Sequence, residues 1–333
     1  MKKIDNDDVV SIVIKALNEE ANIERCIKSA LKSLGKKKGE IILVDSLSTD
    51  NTIEIARKFP IKIIQLKDPS MRSCGIGPQL GYLYSKGNYI FILDADMELS
   101  ENFIDIGIKV LKSDPLLSGV GGIIKEGMVD NLVFSRRAER NRLQSKHHFN
   151  KSLNMGGLYK RSAIDAVGYL SNPNLHSYEE FDLGTKLLSR GFLLKRIESP
   201  MVTHYGKNKK SLQILLDRWK SKYLHGSGEL IRNNLSSGTL VMVLREIKLY
   251  ILVLLWWLIL VSNIFLIIFS WKPLIFQLTL TMLFILFFTL IKHNVFEVAF
   301  SLVSWSLTSF GLLIGFFSTK KELNLRNQIK IIK

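Results

Sequence analysis

Two carboxylates one residue apart, Asp94 and Asp96, are the most chemically suggestive feature of the sequence. They follow a short apolar run, Tyr89 to Leu93, whose aromatic and β-branched residues predict a buried strand. Paired acids at the carboxyl end of a strand form an oxygen-rich site that suits Mg²⁺ or Mn²⁺ holding a diphosphate. The same pattern, taken alone, also fits a strand end that is capped by two solvated acids.

Predicted strands and helices alternate through the first part of the chain. Apolar, β-branched runs at residues 9–14, 41–44 and 61–66 predict strands, and the segments between them carry apolar residues at helical spacing. This order implies an α/β domain with a mostly parallel sheet and right-handed crossovers. Ligands of such sheets bind beyond the carboxyl ends of the strands. Polar residues in 15–19, 45–48 and 94–96 all follow strand ends, so we expect them to converge on one rim.

The sequence lacks the common glycine-based phosphate cradles. No Gly-x-Gly-x-x-Gly follows the first predicted strand, and no Gly-Lys-Ser/Thr loop is present. Two carboxylates and a divalent ion would hold a diphosphate without such a loop. The two cysteines, Cys26 and Cys74, predict neither a disulfide framework nor a zinc cluster.

The last third of the chain is strongly apolar. Residues 249–271 and 273–291 contain no charged residue, and 295–317 contain only Glu297. Because a membrane-spanning helix needs about 20 apolar residues, we predict two or three transmembrane helices within 249–318. The net charge of +16 favours contact with an anionic lipid bilayer. Nucleic-acid binding is not expected, because no basic stripe with interleaved stacking aromatics is present.

The predicted organisation is a catalytic domain at 1–231, a basic connector at 232–248, the membrane segment and a basic tail at 319–333. The charged N-terminus shows no apolar signal-peptide core, so we expect a multi-pass protein of the cell membrane with a cytoplasmic catalytic domain. The positive-inside rule places both flanks of the apolar region in the cytoplasm, yet three spans would separate them. Either the third segment is re-entrant or interfacial, or the tail lies outside.

Several segments resemble, in the right order, a family 2 glycosyltransferase with the GT-A fold. The resemblance covers roughly residues 8–230 and includes the two carboxylates described above. Each segment is a modest signal, but their order along the chain makes the set specific. The matching segments are 10–20, 42–50, 93–99, 154–161 and 178–183.

The resemblance implies a role for each matching residue. Glu180 would be the catalytic base that deprotonates the acceptor hydroxyl. Asp94 and Asp96 would hold Mg²⁺ or Mn²⁺, with Asp96 the more direct ligand. The residues that would bind the nucleotide-sugar donor are Lys15, Leu17, Glu19, Asp45 and Asp94.

Departures from the family pattern leave some of these roles open. Lys15 replaces the proline common after the first strand, and Ser46 replaces a second Asp. Glu180 stands where the family usually has Asp, so Glu179 is an alternative base. Arg72 and His204 are weaker candidates for contacting phosphates or metal, since a surface arginine and a structural histidine fit as well.

The predicted function is metal-dependent, inverting transfer of a sugar from a nucleotide-sugar to a membrane-associated acceptor. A lipid-linked saccharide of a cell-surface polysaccharide would suit the membrane helices. One alternative is a polyprenyl-phosphate glycosyltransferase that loads a sugar on the carrier phosphate itself. Another is a membrane protein that binds nucleotide-sugars without catalysis.

Overall fold

The computed structural model describes residues 8–127, 132–133, 135–137, 139, 149–206, 209–321 and 325–333. The chain divides into two compact units. Residues up to 209, together with 320–333, form the first unit, and residues 210–319 form the second. The boundary predicted near residue 231 therefore falls inside the second unit, and the basic tail belongs to the first.

The first unit is built around one mixed sheet. Within the described residues its order is β5-β8-β6-β7-β4-β1-β2-β3-β9. The strands are β1 (Val10–Ala16), β2 (Gly39–Asp45), β3 (Lys62–Leu66), β4 (Tyr89–Asp94), β5 (Met97–Leu99), β6 (Leu117–Glu126), β7 (Gly157–Lys160), β8 (Leu193–His204) and β9 (Ile329–Ile331).

Helices connect and cover the strands of this sheet. Strands β1 to β4 are nearly continuous runs of buried apolar residues, as expected for parallel strands that are covered on both faces. The predicted α/β architecture with a mostly parallel sheet is therefore confirmed. The helices of the first unit are α1 (Ile23–Leu34), α2 (Thr52–Ala56), α3 (Ile76–Tyr84), α4 (Phe103–Ser113), α5 (Arg161–Val167) and α6 (Glu179–Leu188).

The register of β1 aligns the carboxyl ends of its two neighbours. Strand β1 pairs in parallel with β2 on one side and with β4 on the other. Ala16 lies opposite Asp45, and Lys15 lies opposite Asp94. The polar residues that follow these strands are consequently brought to one rim, as the sequence pattern predicts.

The end of the chain returns to this sheet. Strand β9 pairs antiparallel with β3, so that Ile329 lies opposite Leu66 and Ile331 lies opposite Ile64. Ile329 packs into the core, whereas Ile331, two residues farther along the same face, is 55% exposed. The tail is thus a structural part of the first unit.

The second unit is helical. Three of its helical segments are long and apolar enough to cross a membrane, which are Leu240–Ile268, Lys272–Lys292 and Val295–Phe317. The first two expose apolar side chains almost all round, while the third is partly buried. The prediction of C-terminal apolar helices is confirmed. The helices of this unit are α7 (Ser211–Lys220), α8 (Gly226–Asn234), α9 (Leu240–Phe265), α10 (Lys272–Lys292) and α11 (Val295–Phe317).

The tail strand offers a test with a built-in control. Ile329→Ala should lower the free energy of unfolding by about 2–4 kcal/mol, because it removes buried methylenes from the core. Ile331→Ala, at a largely exposed position of the same strand, should change it by less than about 0.5 kcal/mol. The thermal midpoints of both variants in detergent measure the difference. Equal, small shifts would show that the tail is not docked.

Candidate active site

Lys15 connects the acids at the rim. Its Nζ lies 3.0 Å from Asp94 Oδ1 and 3.6 Å from Glu179 Oε1. Burial alone would lower the pKa of Lys15, but the nearby carboxylates of Asp94 and Glu179 outweigh it and hold that pKa well above its usual value. Lys15 is therefore a permanent cation that partly neutralises a group of partly buried acids.

The two acids of the Asp-Ala-Asp segment each keep a buried oxygen without a hydrogen-bond donor. Among the described residues, these are Oδ1 of Asp94 and Oδ1 of Asp96. Lys15 is close enough to attract Asp94 Oδ1 electrostatically but does not lie in hydrogen-bonding direction. Since a buried acceptor without a hydrogen-bond donor is costly, both oxygens suit a positive charge, which the Lys15 ammonium already supplies beside Asp94 and which a bound cation would supply to Asp96.

A divalent ion here would need oxygens from the ligand as well. In the part of the chain that the structure describes, no three His, Cys, Asp or Glu side chains are arranged to hold a metal by themselves. Mg²⁺ and its relatives often bind one or two carboxylates and take the remaining oxygens from substrate phosphates. Asp94 and Asp96 fit that arrangement, so the donor set agrees with a metal–diphosphate site.

His204, at the end of β8, hydrogen-bonds to Asp96. The distance from His204 Nε2 to Asp96 Oδ2 is 3.1 Å, and His204 Nδ1 lies 2.9 Å from Glu126 Oε2. Burial would lower the pKa of His204, but the hydrogen bonds to Asp96 and Glu126 prevail and raise it to about 9. Arg137 completes the group, with Nε 2.7 Å from Glu126 Oε1. Glu126 and Arg137 could not be predicted from the sequence, because no motif links them to Asp96.

Glu180 lies in the first turn of α6. Its Oε1 accepts a hydrogen bond of 2.9 Å from the Gly156 backbone N–H. Its Oε2 is buried and has no donor among the described residues. Burial, and then the neighbouring charge of Glu179, raise the pKa of Glu180 to about 7. A carboxylate with such a pKa is suited to take a proton near neutral pH.

The loop that contacts Glu180 has an unusual backbone. Asn154, Met155 and Gly156 have φ values of 46°, 59° and 92°, all in the left-handed region. A Cβ at Gly156 would lie 2.3 Å from the Ile92 carbonyl oxygen, so only glycine fits there. The buried guanidinium of Arg196 donates to the carbonyls of Leu153 and Asn154 and stabilises this conformation. Arg196 thus supports the loop, a role that the sequence did not predict.

The residues expected around the nucleotide base form a separate, interlocked group. Asp45 is fully buried, and its Oδ2 accepts hydrogen bonds of 2.9 Å from the Ser48 N–H and from Gln65 Nε2. The backbone N–H of Glu19 donates to Thr52 Oγ1, and Leu17 is exposed. Contact of Leu17, Glu19 and Asp45 with a nucleotide therefore stays a prediction.

Arg72 has a structural role. Its Nε donates to the Ser46 carbonyl at 2.8 Å, and its Nη2 donates to the Leu47 carbonyl at 2.7 Å. Leu47 has a positive φ of 63°. Arg72 therefore stabilises the turn that follows β2.

Residues 11–164 match the family model described as Glycosyl transferase family 2. This part of the chain is a family 2 glycosyltransferase domain. The matched residues include both carboxylates of the Asp-Ala-Asp segment and the Gly156 loop. The enzyme class predicted from the sequence, a glycosyltransferase, is confirmed.

Two curated relatives of this glycosyltransferase come from archaea. The dolichyl N-acetyl-alpha-D-glucosaminyl phosphate 3-beta-D-2,3-diacetamido-2,3-dideoxy-beta-D-glucuronosyltransferase of Methanococcus voltae is 24% identical over 60% of this chain and 67% of its own length. The dolichol-phosphate mannosyltransferase of Pyrococcus furiosus is 29% identical over 38% of this chain and 37% of its own length. The second relative is thus matched over little more than a third of its length.

The fold resembles that of a solved glycosyltransferase. The mannosyltransferase PcManGT from Pyrobaculum calidifontis, in complex with GDP-Man and Mn²⁺, superposes with a TM-score of 0.63. The alignment covers 92% of this chain and 87% of that protein at 14% sequence identity. This similarity concerns the fold, and it confirms the predicted GT-A architecture.

The raised pKa of Glu180 predicts a pH-dependent effect on stability. Its pKa of about 7 exceeds the unfolded value of about 4.3, so the folded state is favoured at low pH and loses this advantage as pH rises through 7. Glu180→Gln should therefore stabilise the protein at pH 8, by an amount on the order of 3 kcal/mol, and should have little effect at pH 4.

Thermal midpoints in detergent and chelator at the two pH values measure this effect. Glu54→Gln, which removes an exposed glutamate from α2, is the control and should shift neither midpoint. A Glu180→Gln variant that is no more stable than the parent at pH 8 would contradict the assigned pKa.

Proposed function

We propose that the protein transfers one sugar from a nucleotide-sugar to a membrane-associated, lipid-linked glycan, with a divalent ion and with inversion at the anomeric carbon. The observation that supports this most directly is a set of buried carboxylate oxygens at Asp94, Asp96 and Glu180 that have no hydrogen-bond donor among the described residues. Two of them suit a cation and the third suits a hydroxyl proton. These are the partners that the reaction brings to such a site.

Asp94 and Asp96 would hold Mg²⁺ or Mn²⁺, and the ion would neutralise the charge that develops on the departing nucleoside diphosphate. Lys15 stands beside Asp94 and keeps a positive charge at the same rim. It would orient Asp94 and Glu179 and limit the repulsion between them and the donor phosphates. His204 would orient the Asp96 carboxylate through its hydrogen bond.

Glu180 would act as the general base. Its Oε1 is fixed by the Gly156 N–H, so the free Oε2 has a defined position from which to accept the acceptor hydroxyl proton. The acceptor oxygen then bonds to the anomeric carbon while the bond to the nucleoside diphosphate breaks on the opposite face. Attack from the opposite face inverts the configuration of the sugar.

The apolar helices support a membrane-associated acceptor. Three helical segments are long and apolar enough to span a bilayer, and the curated relatives are named for dolichyl phosphate and dolichol phosphate substrates. Basic residues flank these helices, which favours a cytoplasmic position for the catalytic unit. Nucleotide-sugar and lipid-linked acceptor would then meet at the cytoplasmic face of the cell membrane.

A second candidate is transfer to the phosphate of a polyprenyl carrier. The named activity of the Pyrococcus furiosus relative favours it. A phosphate acceptor is already ionised and needs no base, whereas the buried Glu180 favours a hydroxyl acceptor. A donor screen on the detergent-solubilised protein, with and without Mn²⁺ and read by nucleotide release, tests both candidates. Absence of turnover with every donor and acceptor would favour a protein that only binds nucleotide-sugars.

Removal of the Asp96 carboxylate should weaken metal binding and thereby lower the activity. We expect Asp96→Asn to reduce sugar transfer about a hundredfold or more, because charge stabilisation of the leaving group is lost. Asp105→Asn, at an exposed acid of α4 that pairs with Lys37, is the matched control and should retain transfer. Sugar transfer across a Mn²⁺ titration is the measurement. Full Mn²⁺-dependent activity in Asp96→Asn would refute the assignment.

The base can be distinguished from its neighbour by pH dependence. In the parent protein kcat/KM should rise with pH and level off above about 7, the pKa of Glu180. Glu180→Gln should lower transfer to a hydroxyl acceptor by about 10²–10⁴-fold and remove this pH dependence, whereas Glu179→Gln should keep it. If Glu179→Gln alone removes the pH dependence, Glu179 is the base. If Glu180→Gln keeps full activity, the phosphate acceptor is favoured.

A further inference from the structure

The tail strand constrains how the chain passes through a membrane. Strand β9 belongs to the same sheet as β1 to β4, and residues before 210 and after 319 form one folded unit. Since one sheet cannot lie on both sides of a bilayer, residues 209 and 320 must be on the same side. Segment 210–319 therefore crosses the membrane an even number of times, although it contains three apolar helices.

The contacts within the second unit show that α9 and α11 run antiparallel. Arg232, in α8 just before α9, donates to the carbonyls of Gly315 and Ser318 at the end of α11. Within α9, Trp257 Nε1 donates to Ser306 Oγ at 3.0 Å. From residue 232 to residue 257, the residue number of the contacted position on α11 therefore falls from about 318 to 306.

The depths of these contacts agree with two antiparallel helices that lie side by side in the bilayer. Trp257 is nine residues beyond Lys248, the last charge before the apolar run, which corresponds to about 14 Å of helix. Ser306 is twelve residues before Ser318, or about 18 Å. Val295 at the start of α11 then lies about 35 Å from Ser318, more than the hydrocarbon thickness of about 30 Å. Helix α11 is consequently long enough to return across the whole bilayer.

Helix α10 connects the far ends of this pair. Near its start, Gln277 Oε1 accepts from Asn263 Nδ2 at 2.8 Å. Near its end, the ring of Phe288 lies 6.5 Å from that of Trp305. Asn263 lies about 22 Å of helix beyond Lys248, and Trp305 lies about 20 Å of helix before Ser318. Both parts of α10 are thus at a similar depth, as in a helix that lies across the membrane plane.

We propose that the chain crosses the membrane twice, through α9 and α11, and that α10 lies transversely in the leaflet opposite the catalytic unit. Lys272 and Lys292, at the two ends of α10, would then both reach the far headgroups. This topology places both basic flanks of the apolar region on one side, which satisfies the positive-inside rule with three apolar helices. It rests on membrane insertion and not on the transferase chemistry.

Single cysteines can locate each turn relative to the membrane. The background carries Cys74→Ser and keeps Cys26, which is fully buried. Ser113→Cys in the catalytic unit and Asn327→Cys in the tail report on the near side. Ser270→Cys and Asn294→Cys report on the turns before and after α10. Full-length protein in intact cells and in permeabilised cells is labelled with a membrane-impermeant maleimide.

The proposal predicts that positions 270 and 294 share one labelling pattern and that 113 and 327 share the opposite one. If α9 and α10 were the crossings, 294 would label with 113. If all three helices crossed, 327 would label with 270, and without insertion all four positions would label alike. Each of these patterns would overturn the proposal. Trp271→Cys and His293→Cys probe the same turns should a first variant express poorly.

Discussion

The gathering of several partly buried acids at one rim is the constraint on which this structure depends. Asp94, Asp96, Glu179 and Glu180 lie near one another where partial burial strengthens the repulsion between like charges. Lys15 compensates one side of the group, and His204 compensates Asp96 on the other. The compensation is incomplete, since Glu180 keeps a raised pKa. A cation or a proton that a substrate brings would therefore stabilise the site.

This electrostatic balance follows from strand register. Because β1 lies between β2 and β4, the strand register places its final residues next to Asp45 and Asp94, independently of the loop conformations. Parallel strands that follow one another in sequence place their carboxyl ends together, so the rim could be predicted from the order of apolar runs. The role of Lys15 could not, because the sequence shows only a lysine in place of a proline. Its function depends on Glu179, which is far away in the chain.

The Gly156 loop could also be predicted only in part. The adjacent glycines Gly156 and Gly157 are typical of a close backbone approach, but they do not predict that neighbouring Asn154 and Met155 adopt left-handed conformations. Such conformations cost about 1–3 kcal/mol each and persist only when other contacts fix them. The Arg196 guanidinium provides those contacts from β8. A fixed loop gives Glu180 a single hydrogen-bonded orientation, and orientation is what a general base needs before its pKa matters.

The apolar helices show why composition alone could not determine the membrane topology. Counting uncharged residues gives the length of each apolar run but not its direction in the membrane. Three crossings would place the two basic flanks on opposite sides, which conflicts with the positive-inside rule. The conflict disappears once β9 is included, and β9 is only three residues long with a lysine at its centre. Such a strand has no apolar pattern strong enough to predict from sequence. It forms because the edge of β3 offers unpaired backbone groups and an apolar contact for Ile329, so a weak local segment fixes the side on which a strongly apolar region must end.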